Sequence, residues 1–383
     1  MRRLYLLTLI TLMTHTGLAK TIPVFFGTGQ NRDFPSEGVY GATFNTESGK
    51  FTTAPSVMAR LESPGFLIQH PSKPILYAIG ADPESGKHLV SSFKTGTGQS
   101  GPSLELLNAE PTNCAKGTHL DMDPSGRLLV CVQYGQGTVS VFPVADDGSL
   151  SPTSQTIKHS SFSTANPDRQ GKPHPHNATF DPSGRFVLIP DLGADLVYVY
   201  SVDTMTHSLK EHARIPTAPG AGPRHMTFNR KGDRAYVVNE LDMTIDTYSW
   251  DASTGKLTKL STVDTLPEEV LAKNESNTGS EIKLHPSGQF LYSGNRGDDS
   301  ISVFQIDATT GIPERTAVVP SGVVWPRHFA LTPGGRFILC AGQFSHSINI
   351  LSIDENNGLP EATEAGASKV PSPICVLPFK QGN

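Results

Sequence analysis

Four cysteines in 383 residues, at Cys114, Cys131, Cys340 and Cys375, are too few and too widely spaced for a disulfide-stapled scaffold or a paired CxxC zinc site. Cys131 and Cys340 fall inside apolar runs and read as small core residues; a Cys114–Cys375 bridge or none is left open. An excess of positive charge is also lacking. Thirty-one Lys and Arg against 36 Asp and Glu leave a formal net charge of -5, which gives no footprint for nucleic acid or an anionic membrane. No run beyond the N-terminal segment approaches the roughly 20 apolar residues that span a bilayer. A sustained 3.6-residue apolar period is absent too, and only 264–274 suits a short helix. No G-x-S-x-G elbow accompanies a histidine, which excludes the usual serine hydrolase arrangement.

What is present begins with MRRLYLLTLITLMTHTGLAK. Two arginines, an apolar stretch over 4–13 and small residues ending at Ala19 form the three-part pattern of a secretory signal peptide, residues 1–19. The remaining 20–383 is therefore expected to be exported, periplasmic or secreted, and free of the membrane once the signal is cleaved.

Glycine (36) and proline (30) are plentiful, and they punctuate a repeat. The turn Asp181-Pro-Ser-Gly184 recurs as His70-Pro-Ser-Lys73, Asp123-Pro-Ser-Gly126, Asn229-Arg-Lys-Gly232, His285-Pro-Ser-Gly288, Thr332-Pro-Gly-Gly335 and, degenerate, around Pro378. Each turn joins two short strand-like runs, and most copies continue into two more. Seven copies at intervals of 45 to 58 residues match one four-stranded blade each. The fold expected is all-β, a single seven-bladed β-propeller over 20–383. The last copy supplies one strand near the C-terminus and the N-terminal runs supply three, so strands from both ends close one blade and remove the open sheet edges.

In such a ring, equivalent repeat positions far apart in sequence meet around the channel. The position six residues before the second turn residue holds Gly65, Thr118, His176, Arg224, Ser280, Arg327 and Ser372; ten residues after it stand Ala81, Tyr134, Leu192, Glu240, Arg296 and Gln343. Small or hydroxylic residues dominate the first set except at His176, Arg224 and Arg327. A structural repeat does not require those three there. His225 and His328 follow the arginines and, by strand alternation, are expected to face away and pack between blades. Arg224, Glu240 and Arg296 as a buried ion network tying blades together is the bland alternative. Several guanidiniums around one carboxylate leave positive charge that is costly to bury without an anion, which favours an anionic ligand.

The segments HNATFDPSGRFVLIPDLG, GPRHMTFNRKGDRAYVVNEL, SEIKLHPSGQFLYSGNRGDDSISVF and PRHFALTPGGRFILCAGQ resemble the lactonase family of seven-bladed propellers, which includes bacterial 6-phosphogluconolactonases and fungal carboxy-cis,cis-muconate cyclases. The resemblance spans most of the chain after Ala19. It implies an active site of His176, Arg224, Glu240 and Arg296, the residues already marked by the repeat. The long loop 160–175 before His176 departs from the pattern.

These residue types suit lactone hydrolysis, with Glu240 expected as base, His176 as proton donor to the leaving alkoxide and Arg224 at the carbonyl. Arg296 and Arg327 would hold the substrate's anionic group, with Gln343, Asn239 and Asn295 as further substrate-binding residues. The expected function is hydrolysis of an anionic or polyhydroxylated, sugar-derived lactone at one mouth of the channel, by a monomer with no cofactor and no metal; His174-Pro-His176 lacks a clear third ligand. Muconate-type lactonisation needs the same side chains and stays open. A non-enzymatic exported propeller binding protein or glycan through Tyr134, Trp325 and Phe344 is the third reading.

Overall fold

The computed structural model describes residues 20–98, 101–114, 116–274 and 276–380; the stretch 1–19 read as a signal peptide lies outside the described residues. Seven antiparallel sheets form a ring of blades, as the repeat predicts. In one blade Thr179–Phe180, Phe186–Asp191, Leu196–Asp203 and Ser208–Pro216 pair in sequence order from the channel outwards. The closing blade takes its innermost strand, Pro373–Pro378, from one end of the chain and its other strands from the opposite end. Thr21–Thr28 pairs on one side with Pro373–Pro378, in a register that sets Val24 against Pro378, and on the other with Gly38–Asn45.

The recurring turn is built by its own side chains. Asp181 accepts hydrogen bonds from the Ser183 and Phe186 N–H groups, and Asp123 does the same for Ser125 and Leu128. Gly126, Gly184, Gly232, Gly288 and Gly335 occupy the left-handed region, with φ between 69° and 81°, where a Cβ is unfavourable. The apolar alternation of each strand then fills the wedge between neighbouring blades. Phe26 and Phe44 of the closing blade, for example, pack with Phe337, Leu339 and Ile350 of the blade before it, each contributing about 1.5–3 kcal/mol by burial. Tyrosines pin neighbouring blades as well: the hydroxyls of Tyr77, Tyr236 and Tyr292 each donate at 2.8 Å to a hairpin glycine carbonyl, of Gly148, Gly311 and Gly358 respectively.

Among the described residues two single helical turns occur, Glu268–Leu271 within the stretch that suited a helix, and Pro167–Gln170 in the long loop before His176. Pro167 is suited to the first helical position because its missing N–H has no intrahelical partner there. All four cysteines are free.

Candidate active site

The sequence brings two successive side chains to the channel where alternation allows one. The innermost strands Pro223–Phe228, Thr278–Leu284 and Pro326–Leu331 each shift register, between Pro223 and His225, Gly279 and Ile282, and Pro326 and His328. Such bulges re-aim side chains. Arg224 and His225, and likewise Arg327 and His328, therefore all line one cavity of about 500 Å3. The expectation that His225 and His328 turn away between blades is overturned by these bulges.

His176, Arg224, Glu240, Arg296 and Arg327 all line this cavity, with Lys116, Tyr134 and Arg169 beside them. Glu240 is the hub. Its Oε2 is 2.9 Å from Arg224 Nε and 2.9 Å from Arg296 Nη2, while its Oε1 accepts from Arg169. Arg224 also donates to the Ser280 carbonyl, and Arg296 to that of Gly279 at 2.6 Å. Burial alone would raise the Glu240 carboxyl, but Arg296, Arg224 and Arg169 outweigh it and hold it well below the usual carboxylate range. A carboxylate so held is a poor proton acceptor and a good jig for guanidiniums. Burial, then Arg296, lowers Arg224 to about 9 and Arg327 to about 10, so both stay charged at neutral pH. Among the described residues Arg327 has no carboxylate partner, and the Arg296 Nε is buried without a hydrogen bond. The cavity thus gathers five cations around one carboxylate.

Burial, reinforced by Arg224, holds His176 well below the ordinary imidazole range. Its Nδ1 is buried without a partner, so it stands as a neutral hydrogen-bonding group rather than a ready proton donor.

Asn239, Asn295 and Gln343 do not line the cavity. Asn239 donates to Thr244 Oγ1 at 2.8 Å, and Asn295 to Ser300 and Ser302 at 3.0 and 2.8 Å. Each precedes a cavity residue by one position, so its side chain falls on the other strand face and braces its own blade. Gln343 lies past the end of Phe337–Gly342, its Oε1 buried without a partner. Trp325 and Phe344 stack at 5.2 Å, and Trp325 lies 5.5 Å from the Arg296 guanidinium.

Arg169 and Lys116 went unnoticed in the sequence. Arg169 sits in an insertion, outside any repeat position, and Lys116 precedes the ring position Thr118 by two. The insertion is nonetheless tied down: His174 N–H donates to Asp191 at 2.6 Å, Ser163 N–H to the Gly193 carbonyl at 2.7 Å, and Gln170 to the Leu192 carbonyl at 2.8 Å. A Cβ on Gly193 would stand 1.9 Å from the Lys172 carbonyl. Gly193→Ala is accordingly expected to push the insertion outward and carry Arg169 off Glu240. Misplacement of this kind lowers kcat/KM by about 10²-fold. Steady-state kinetics beside a melting curve check it, and unchanged kinetics would remove the insertion from the site.

His119, His176, His225 and His328 are all buried and are all lowered, burial being the largest cause for each. The unfolded chain therefore binds protons on these rings that the folded one refuses. Stability is then fully present above the unfolded imidazole pKa of about 6.5 and falls below it, by up to roughly 1.4 kcal/mol per ring per pH unit. We expect Tm to drop between pH 7 and 5, before the carboxylate range is reached; calorimetry showing a flat Tm across that window would contradict it.

The family Lactonase, 7-bladed beta-propeller, matches residues 24–378. The 6-phosphogluconolactonase of Bacillus subtilis (strain 168) is 31% identical over 294 residues, 77% of this chain and 81% of the relative. That of Formosa agariphila is 28% identical over 304 residues, 78% and 83% of the two chains. The solved structure of the periplasmic gluconolactonase PpgL of Pseudomonas aeruginosa superposes with a TM-score of 0.84 at 28% identity, covering 93% of this chain and 98% of that one. A match over nearly all of the described ring places the chain in the lactonase family of seven-bladed β-propellers.

Proposed function

We propose that the protein is an exported lactonase that hydrolyses an anionic or polyhydroxylated lactone of the 6-phosphogluconolactone type at this mouth of the channel. The observation that carries the reading is the set of guanidiniums aligned by one buried carboxylate, in a cavity large enough for a phosphorylated sugar lactone. The catalytic set is His176, Arg224, Glu240 and Arg296, with Arg327 and Lys116 holding the substrate's anionic group. Water attacks the lactone carbonyl carbon and yields its proton to a base. Charge building on the carbonyl oxygen is met by Arg224 and Arg296, which Glu240 keeps aimed without reorganisation. The ring C–O bond then breaks and the alkoxide takes a proton, leaving a hydroxy acid that ionises. Glu240 serves here as aligner, and the base is a neutral imidazole. Export is supported by the N-terminal pattern and by the periplasmic gluconolactonase among the similar structures.

The test is proton release, followed by pH-stat, from gluconolactone, 6-phosphogluconolactone and muconolactone on the protein lacking 1–19. Turnover of the phosphorylated lactone with the lowest KM is expected. A folded protein that opens none of them would overturn the assignment and favour a binding propeller.

A further inference from the structure

Beneath the guanidiniums a second layer of side chains crosses the channel, and its hydrogen bonds fix which nitrogens carry protons. Glu281 is buried and its Oε2 lies 3.1 Å from His225 Nδ1 and 3.0 Å from His328 Nε2. Burial would raise its carboxyl, but Lys283, 3.4 Å from Oε1, and the two imidazoles outweigh this and keep it ionised. An ionised carboxylate only accepts. The Val376 N–H donates to His328 Nδ1 at 3.2 Å, so neutral His328 carries its proton on Nε2 and gives it to Glu281. His225 must likewise carry its proton on Nδ1. Its Nε2 then holds a lone pair, has no hydrogen-bond partner among the described residues, and belongs to a side chain that lines the active-site cavity beside Arg224.

The three candidate bases differ in what stands behind them. Glu240 is committed to three guanidiniums. His176, whose ring centroid is 5.1 Å from that of His225, has a buried and unpartnered Nδ1, so no carboxylate would compensate a proton taken at Nε2. His225 alone has a carboxylate on its far nitrogen, the arrangement that both fixes the tautomer and stabilises the imidazolium when it forms. Resting on the lactonase reading, we propose that His225, oriented through Nδ1–H by Glu281, takes the proton of the attacking water at Nε2 and returns it to the ring oxygen as the lactone opens. Atoms and charge balance: one O–H and one ring C–O bond break, one new C–O and one new O–H bond form, and His225 ends as it began.

The groups facing His225 are Arg224 on its own strand, Glu281 and Lys283 on the next blade, His328 beyond them, and His119, His176 and Phe66 across the channel. Burial, then Arg224, lowers the ring to about 3, Glu281 pulling the other way. The ring is thus neutral at neutral pH with its Nε2 lone pair exposed to the cavity, while burial and Arg224 weaken it as a base and Glu281 works against them. An anion seated among the guanidiniums offsets the share of this lowering that comes from Arg224, and Glu281 stabilises the imidazolium as it forms.

The experiment compares kcat and KM against pH for the wild type, His225→Gln and Glu281→Gln. His225→Gln is expected to lower kcat by about 10²- to 10⁴-fold with KM within threefold. Glu281→Gln keeps an oxygen for Nδ1–H but no charge, so kcat falls and its acid limb moves to lower pH, a shift that a merely structural role would not produce. Should His225→Gln fail to fold, His225→Ala in the presence of millimolar imidazole replaces it, and recovery of rate is expected. A folded His225→Gln with kcat within threefold of wild type overturns the assignment, as does an acid limb unmoved in Glu281→Gln. Wild-type protein that opens no lactone removes the reading on which the proposal stands, and is told apart from those outcomes because no variant is needed to see it.

Discussion

Glu240→Ala is expected to lower kcat/KM by about 10³-fold or more, the loss that follows when a prearranged oxyanion donor is no longer held in place. The same change should destabilise the fold. Arg224 and Arg296 are buried, and with Arg169 they share Glu240; removing one partner of a buried pair costs about 3–5 kcal/mol, because charge is left without compensation. A protein held together mainly by apolar wedges, with this cluster reserved for catalysis, would lose activity alone. The geometry instead predicts that both fall, and that they separate on adding inorganic phosphate or sulfate. The anion should raise the variant's Tm by replacing the missing charge, without restoring turnover. Kinetics on 6-phosphogluconolactone and calorimetry with and without phosphate decide it. Activity within threefold of wild type would take the guanidinium cluster out of the mechanism.

The second large effect concerns closure. Ending the chain at Val370 removes the innermost strand of the closing blade, with its buried Cys375 and Val376, and the buried Phe379 that follows it. Val376 and Phe379 alone represent about 1.5–3 kcal/mol each of lost burial. To that is added a bare ladder edge along Thr21–Thr28, whose Phe25 and Phe26 are fully buried in the intact ring. Against a typical total stability of about 5–15 kcal/mol, the truncated chain is expected to have no cooperative melt and to elute as aggregate. A peptide spanning 371–380 added during refolding should recover the ring. A monomeric truncated protein melting within a few degrees of the full chain would show that the blade closes without that strand.

The propeller was legible because its turns are local chemistry. An Asp or His that accepts from the backbone and a glycine at positive φ recur in nearly fixed order, and the spacing between them counts blades. Repeat positions likewise led to His176, Arg224, Glu240, Arg296 and Arg327, since symmetry brings equivalent positions to one cavity. What stayed hidden broke that symmetry. Arg169 arrives from an insertion, and no periodicity announces where an insertion folds back. His225 and His328 were misread because alternation assumes an even pleat, whereas the bulges beside Arg224 and Arg327 turn two neighbours the same way. The pleat, applied where it does hold, would have set Asn239 and Asn295 aside. Glu240 as base was the natural reading of a lone carboxylate, until three guanidiniums appeared on it.

The joining of the two chain ends in one blade also sets an order of events. The strand Thr21–Thr28 is made first among the described elements, yet its inner neighbour Pro373–Pro378 is made last. A growing chain can complete six blades while its earliest strand waits, with an apolar flank and a row of unpaired backbone groups turned to whatever is near. Contacts so distant in sequence form slowly, and an open edge invites pairing with another molecule. Crowding, temperature and the speed of synthesis all act on that interval, when the unpaired strand is open to the wrong neighbour.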